Sequence, residues 1–281
     1  MPLTPSLLLC PVCRGPLSSV EADRGRSLTC PGGHRYDAAR QGYFNLLTGS
    51  GTKFAADTAE MVQARVDFLS SGHYQPMAQE VARLVAGAVP DARSVLDAGA
   101  GTGYYLGAVT RSLPGTAAVA LDISKFALRR AARALPAATC LVWDVWRPLP
   151  LADASVDAVV NVFAPRNVPE FRRVLSTNGI LMVVTPQPEH LQEIRSLAGM
   201  LDIGGEKENR VAAAVKDHFR AEQTSHCEYS MNLSAADIRN VALMGPSARH
   251  LDRDLLGNTL AKIPESIPVT ASFSLQLFRA A

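Results

Sequence analysis

Val95-Leu96-Asp97-Ala98-Gly99-Ala100-Gly101-Thr102-Gly103 is the stretch on which the fold turns. A short apolar run, Ser94–Ala98, carries an acid near its end and passes into three glycines at alternate positions, after which a helix-like segment begins. Glycine lets a backbone turn tightly and approach a ligand where a Cβ would clash. The spacing is D-x-G-x-G-x-G, not the G-x-G-x-x-G of dinucleotide-binding turns. An acid at the strand end also suits a ligand with a positive amino group better than a pyrophosphate.

Outward from this turn, short apolar runs recur at Ala117–Leu121, Thr139–Trp143, Ala158–Phe163 and Ile180–Thr185, each followed by a helix-like or loop segment. That alternation predicts βαβ units and a parallel sheet. Two further acids, Asp122 and Asp144, stand at successive strand ends. The first is placed to accept ribose hydroxyls, the second to reach an adenine amino group. An acid in such a place also serves as a helix N-cap or a surface charge. Three of them on one side of a sheet favour a nucleoside with an amino-acid tail, S-adenosylmethionine. The end of the chain reads differently, with strand patterns at Glu228–Leu233 and Val269–Phe278 that suit an antiparallel edge.

On the N-terminal side, Thr58–Leu69 has apolar residues at helical spacing, and a second helix is expected from Pro76 to just before Pro90. Asp57 reads as the N-cap of the first helix. Before it, Thr48–Lys53 reads as a flexible linker. Further back, Cys10-Pro-Val-Cys13 is followed after sixteen residues by Cys30 and then His34. Two close pairs of such ligands fit one tetrahedral Zn²⁺ whose four positions are all filled by protein, a structural site. Unrelated residues or a redox C-x-x-C are the alternatives. Cys140 and Cys227 lie in strand-like runs and read as small buried hydrophobes. The module also carries Arg14, Arg24, Arg26, Arg35, Arg40 and, just beyond it, Lys53, against Glu21, Asp23 and Asp37, with Tyr36, Tyr43 and Phe44 interleaved. Such groups suit phosphates and unpaired bases, or simply a solvated surface over core aromatics. The expected division is a zinc-binding module over residues 1–50, a helical linker over 51–92 and a catalytic α/β domain over 93–281.

The 281 residues are 47% apolar and 19% charged, which supports a buried core and excludes a disordered tail. A net charge of +2 neither requires nor excludes a nucleic acid. No apolar run is long enough to span a bilayer. Met1–Cys10 lacks the basic flank of a leader and its apolar stretch is too short for one, so a cytoplasmic location is expected, where clustered cysteines favour metal over disulfides.

Taken together, the Cys10/Cys13/Cys30/His34 module, Gln41–Leu47 (QGYFNLL), Asp57–Pro76 (DTAEMVQARVDFLSSGHYQP), the glycine turn, Asn161–Asn167 (NVFAPRN) and Thr185–Leu191 (TPQPEHL) resemble the RlmA-type 23S rRNA guanine-N1 methyltransferases over nearly the whole chain. The resemblance implies a class I (Rossmann-like) methyltransferase domain behind a zinc-binding RNA-recognition domain. It also implies a homodimer with 23S ribosomal RNA as partner, and cofactor contacts from Tyr74, Gly101, Thr102 and His190. Without it, Tyr74 reads as helix-start packing and His190 as a surface histidine. The expected cofactor set is Tyr74, Asp97, Gly99, Gly101, Thr102, Gly103, Asp122, Asp144 and His190. NVFAPRN is similar to the branch that modifies nucleotide 748 rather than 745, a branch associated with macrolide resistance. Arg166 is expected to donate to guanine O6 and Asn161 to orient the base, with Asp57 a weak candidate for proton acceptor. Two other readings fit part of the pattern. A small-molecule methyltransferase explains the turn and the acids but not the basic zinc module. A non-catalytic zinc/RNA-binding protein explains the module but not the complete set of acids.

Overall fold

Ser94–Ala98 is buried at every position, as a central strand covered on both faces must be. The computed structural model describes residues 7–22, 25–49, 51–195, 198–200, 207–245, 248, 250–263 and 265–281. Asp23, Arg24 and Ser50, read above as part of the module and its linker, lie outside them.

Three short strands, β1 (Ser18–Ala22), β2 (Gly25–Thr29) and β3 (Arg35–Asp37), form an antiparallel sheet in the N-terminal module. A two-residue strand β4 (Phe44–Asn45) leaves it to become the outer strand of the main sheet. Helices α1 (Ala59–Ser70) and α2 (Gln75–Ala88) follow. Thr58, not Asp57, caps α1, its hydroxyl accepting from the Met61 N–H.

Next come β5 (Ser94–Ala98), α3 (Tyr104–Ser112), β6 (Ala117–Asp122), α4 (Lys125–Ala134), β7 (Thr139–Val142), β8 (Val156–Val162), α5 (Val168–Val174) and β9 (Leu175–Pro186). The chain then adds α6 (Gln192–Arg195), α7 (Lys207–Val215), β10 (Phe219–Leu233), α8 (Ala235–Met244), α9 (Arg253–Leu260) and β11 (Ile267–Ala280). The eight-stranded sheet runs β10-β11-β9-β8-β5-β6-β7-β4. Strands β4 to β9 pair in parallel, while β11 is antiparallel to both β9 and β10. Sequence order reverses on either side of β5, which opens a crevice at its carboxyl end.

One face of the sheet packs on α1 to α4 through Phe68, Met77, Val81, Leu106 and Leu128. The other packs on α5, α7 and the N-terminal module, so that Leu8, Leu17, Leu28 and Phe44 share one core with Leu96, Leu141, Phe171 and Leu181. The module is seated further by a bridge between Leu8 and Leu151 and by the Leu9 N–H, which donates to the Pro150 carbonyl at 3.0 Å.

Strand β10 begins nine residues before the patterned stretch Glu228–Leu233. Its first half, Arg220–Thr224, is exposed and mostly polar or charged, so it carries no apolar alternation. An outermost strand needs none, and charge there discourages pairing with other chains.

Candidate functional site: a nucleoside crevice and a thiolate cluster

The glycine turn is fastened to the neighbouring strand, with the Gly99 and Ala100 N–H groups donating to the Leu121 carbonyl at 2.8 and 3.0 Å. Gly99 has φ +92°, and a Cβ built there would lie 2.3 Å from the Ala164 Cβ. Glycine is therefore required both by backbone angle and by the close approach of the loop after β8. Thr102 is buried, and Gly103 opens α3.

Asp97 is almost wholly buried, and its Oδ2 has no hydrogen-bond partner among the described residues. Burial first, and the Asp122 carboxylate second, push its pKa up to about 8. Asp122 is also raised by burial, against hydrogen bonds from the Ser124 and Gly101 N–H groups, both at 2.8 Å. An orphaned buried carboxylate oxygen beside a turn with no Cβ atoms fits the ammonium end of a cationic nucleoside.

A pH test follows. In the ligand-free fold Asp97 holds a proton that the unfolded chain has shed, so its burial costs stability as pH rises from about 4 to 8. A bound ammonium needs the ionised form. Affinity for S-adenosylhomocysteine should therefore climb between pH 6 and 7.5, by at most about tenfold per unit. Asp97→Asn should flatten that slope and weaken binding, as read by isothermal titration. A slope unchanged in the variant would remove Asp97 from the site.

Asp144 is buried after β7, with its Oδ2 accepting from the Thr52 hydroxyl at 2.8 Å and its Oδ1 from the Trp146 N–H at 3.0 Å. It anchors the linker as well as its own loop. The linker crosses the crevice: Arg147 donates to the Gly51 carbonyl, and the Ser124 hydroxyl donates to the Asp57 carbonyl at 3.2 Å. The Asp57 carboxylate is held by Arg65 at 2.5 Å.

His190 is buried, not a surface histidine. Its Nδ1 accepts from the Ser272 N–H at 3.3 Å, which places the proton of the neutral ring on Nε2, 2.9 Å from the Tyr74 hydroxyl oxygen. Both rings lean on Phe273. The aromatic cluster continues to Phe163, which is exposed and holds φ +53°, unusual for a bulky residue.

Asn161 was expected to orient a base. It is fully buried instead, and its amide donates to the Ala98 and Pro165 carbonyls at 2.8 and 3.0 Å. It ties β5 to the loop after β8 and so is a positioning residue. Arg166 differs. Burial lowers its pKa, its nearest acceptors are the Asn161 Oδ1 and the Ala164 carbonyl at 3.5 and 3.4 Å, and no carboxylate pairs with it among the described residues. A partly buried cation without a counter-charge is poised for an incoming anion.

At the other end of the chain, one ligand atom from each of Cys10, Cys13, Cys30 and His34 lies within 4.8 Å of the others. The Cys13 and Cys30 sulfurs are 3.5 Å apart, and Cys30 Sγ lies 3.3 Å from His34 Nδ1. A tetrahedron with Zn–S near 2.3 Å has edges of about 3.8 Å, so the donor set fits zinc. Two tight turns aim these atoms, one closed by the Cys10 N–H on the Gly15 carbonyl, the other by the Gly33 N–H on the Cys30 carbonyl. Burial resists ionisation of Cys10, but hydrogen bonds from the Tyr36 hydroxyl and the Cys13 and Val12 backbone draw it down to about 6. The aromatics singled out in the module are core: Tyr36, Tyr43 and Phe44 are all buried. Arg14 and Arg26 donate to the Leu149 and Gly42 carbonyls at 3.0 Å.

A sheet doubly wound about β5, with acids at three strand ends and a closed Cys₃His cluster ahead of it, defines a class I methyltransferase carrying a zinc ribbon. Residues 95–187 match the family described as "Methyltransferase domain", and residues 8–49 the family described as "RlmA, N-terminal". The chain is 46% identical to a Micromonospora griseorubida protein provisionally named 23S rRNA (guanine-N(1)-)-methyltransferase, over 97% of each chain. It is 44% identical to the Streptomyces fradiae 23S rRNA (guanine(748)-N(1))-methyltransferase, over 97% of this chain and 96% of that one. Among solved structures, the [4+2]-cyclase SpnF aligns with a TM-score of 0.53 at 17% identity, covering 80% of this chain and 97% of that one, a likeness of fold alone. The chain belongs to the RlmA-type 23S rRNA (guanine-N1)-methyltransferase family. It uses S-adenosylmethionine and one structural zinc. No helix among the described residues is long and apolar enough to cross a membrane.

Proposed function

We propose that this enzyme methylates N1 of guanine 748 in a hairpin loop of 23S rRNA. The observation that carries the nucleotide is its 44% identity, across nearly the full length, to the Streptomyces fradiae enzyme named for that position. The cofactor supplies a methyl already activated on a sulfonium. Asp97 would hold its ammonium group and Asp122 its ribose, with Gly99, Gly101, Thr102 and Gly103 shaping the turn beneath. Tyr74 and His190 would close the methionine side, and Asp144 the adenine side.

N1 of guanine carries a proton at neutral pH, and its loss throws negative charge onto O6. Arg166, the unpaired cation beside the turn, would stabilise that charge. Asn161 and the Gly99–Ala164 contact hold the loop that presents it. An unpaired loop guanine reaches such a site at little unstacking cost. By the same family likeness the protein acts as a homodimer and contributes to macrolide resistance.

Incubation with labelled cofactor and unmodified 23S RNA should place the label on one guanine, with a new primer-extension stop at 748, because a methyl on N1 blocks pairing. A stop at 745, or label on a small metabolite alone, would refute the assignment.

A further inference from the structure

The basic zinc module is the obvious place for RNA bases to stack, yet its aromatics Tyr36, Tyr43 and Phe44 are buried. Exposed rings lie elsewhere. Phe54, Phe126, Trp146 and Phe163 are each between 42% and 50% exposed. All four sit along one rim of the catalytic sheet. Phe126 opens α4 beyond the end of β6, Trp146 follows β7 and Phe163 follows β8. Phe54 lies on the linker that Thr52 and Gly51 fasten to the Trp146 loop. The loops of Trp146 and Phe163 are joined in turn, with the Asn167 amide donating to the Val145 carbonyl at 2.9 Å. Cations accompany two of the rings: Lys53 lies 5.5 Å from the Phe54 centroid and Arg129 5.3 Å from that of Phe126. Trp146 is half exposed and has neither a ring nor a cation against it among the described residues.

Four exposed rings, two of them beside cations, are costly to leave in water and match the chemistry of a single strand, which offers a π-face per base and a phosphate per step. From these placements we infer that the rim is a stacking rail for the unpaired nucleotides beside the target guanine, with Trp146 its central platform. The inference rests on the proposed RNA substrate. It divides the work: the zinc module stands beside the rail, while the bases of the loop are gripped by the catalytic domain itself.

The test uses the full-length, zinc-loaded protein and two RNAs, a hairpin whose loop carries the target guanine and a fully paired duplex of equal length. Trp146→Ala should weaken hairpin binding about tenfold or more. Trp146→Phe should restore most of it, since a ring still stacks. Duplex binding should be unmoved, and so should the slope of log affinity against log salt, because no phosphate contact is removed. Hairpin addition should quench tryptophan fluorescence in the wild type and not in Trp146→Phe. Unchanged hairpin affinity in Trp146→Ala overturns the inference, as does a loss shared equally by the duplex. Failure of the wild-type enzyme to methylate 23S RNA would instead overturn the proposed function.

Discussion

Cys10→Ser should yield a protein without zinc and with little affinity for ribosomal RNA. Cys10 is the most deeply buried of the four donors, and its sulfur lies 3.4 Å from the Tyr36 hydroxyl. Removing one thiolate from a closed four-ligand site leaves three donors and an open position. In small isolated zinc modules the metal supplies about 10–16 kcal/mol of folding free energy. Here the loss should be smaller, because Leu8, Leu17, Leu28 and Phe44 pack into a core shared with Leu96 and Leu141. That packing also means the damage will not stop at the module. The expected result is zero metal by elemental analysis, a lower unfolding temperature for the whole chain, and retained, weakened cofactor binding. Cys13→Ser, at the exposed ligand, should lose the metal with less harm to the fold. Full metal content in either variant would dispose of the site.

Arg166→Ala should lower turnover about 10²–10³-fold, the usual cost of removing a donor aimed at developing negative charge. Cofactor affinity should change little, because Arg166 lies on the loop after β8 and its hydrogen bonds go to Asn161 and Ala164, not to the acids of β5 and β6. Its guanidinium is already partly desolvated and, among the described residues, has only neutral acceptors, the Asn161 Oδ1 and the Ala164 carbonyl. Arg166→Lys should recover only part of the rate, since a point charge on a flexible stem does not reproduce the planar donor. Single-turnover assays with saturating RNA separate the two effects. A large loss of cofactor affinity with normal single-turnover rate would reverse the assigned role.

Most of the sheet was legible in the sequence. The central strand β5 coincides with its apolar run because a strand buried on both faces cannot hide its pattern. The metal cluster was equally plain, since tight turns force its ligands into short pairs. Three things were not legible. The outer half of β10 faces water and carries no periodicity. Asn161 stands where a base-contacting residue belongs, and only the Ala98 and Pro165 carbonyls reveal that its amide is already spent. The third is exposure, which composition does not encode. Tyr43 and Phe44 are core while Phe54 and Trp146 are surface, and nothing in their immediate neighbours distinguishes them. The buried state of His190 depends on Ser272 and Phe273, about eighty residues away, and for that reason only the family likeness flagged it.

Because the zinc ribbon shares side chains with the sheet's second face, it is a fixed jaw, not a tethered one. The span from metal to glycine turn is set by the Leu8–Leu151 bridge and the Phe44 edge strand. Changes at that seam would move the metal relative to the glycine turn without touching a residue that lines the crevice.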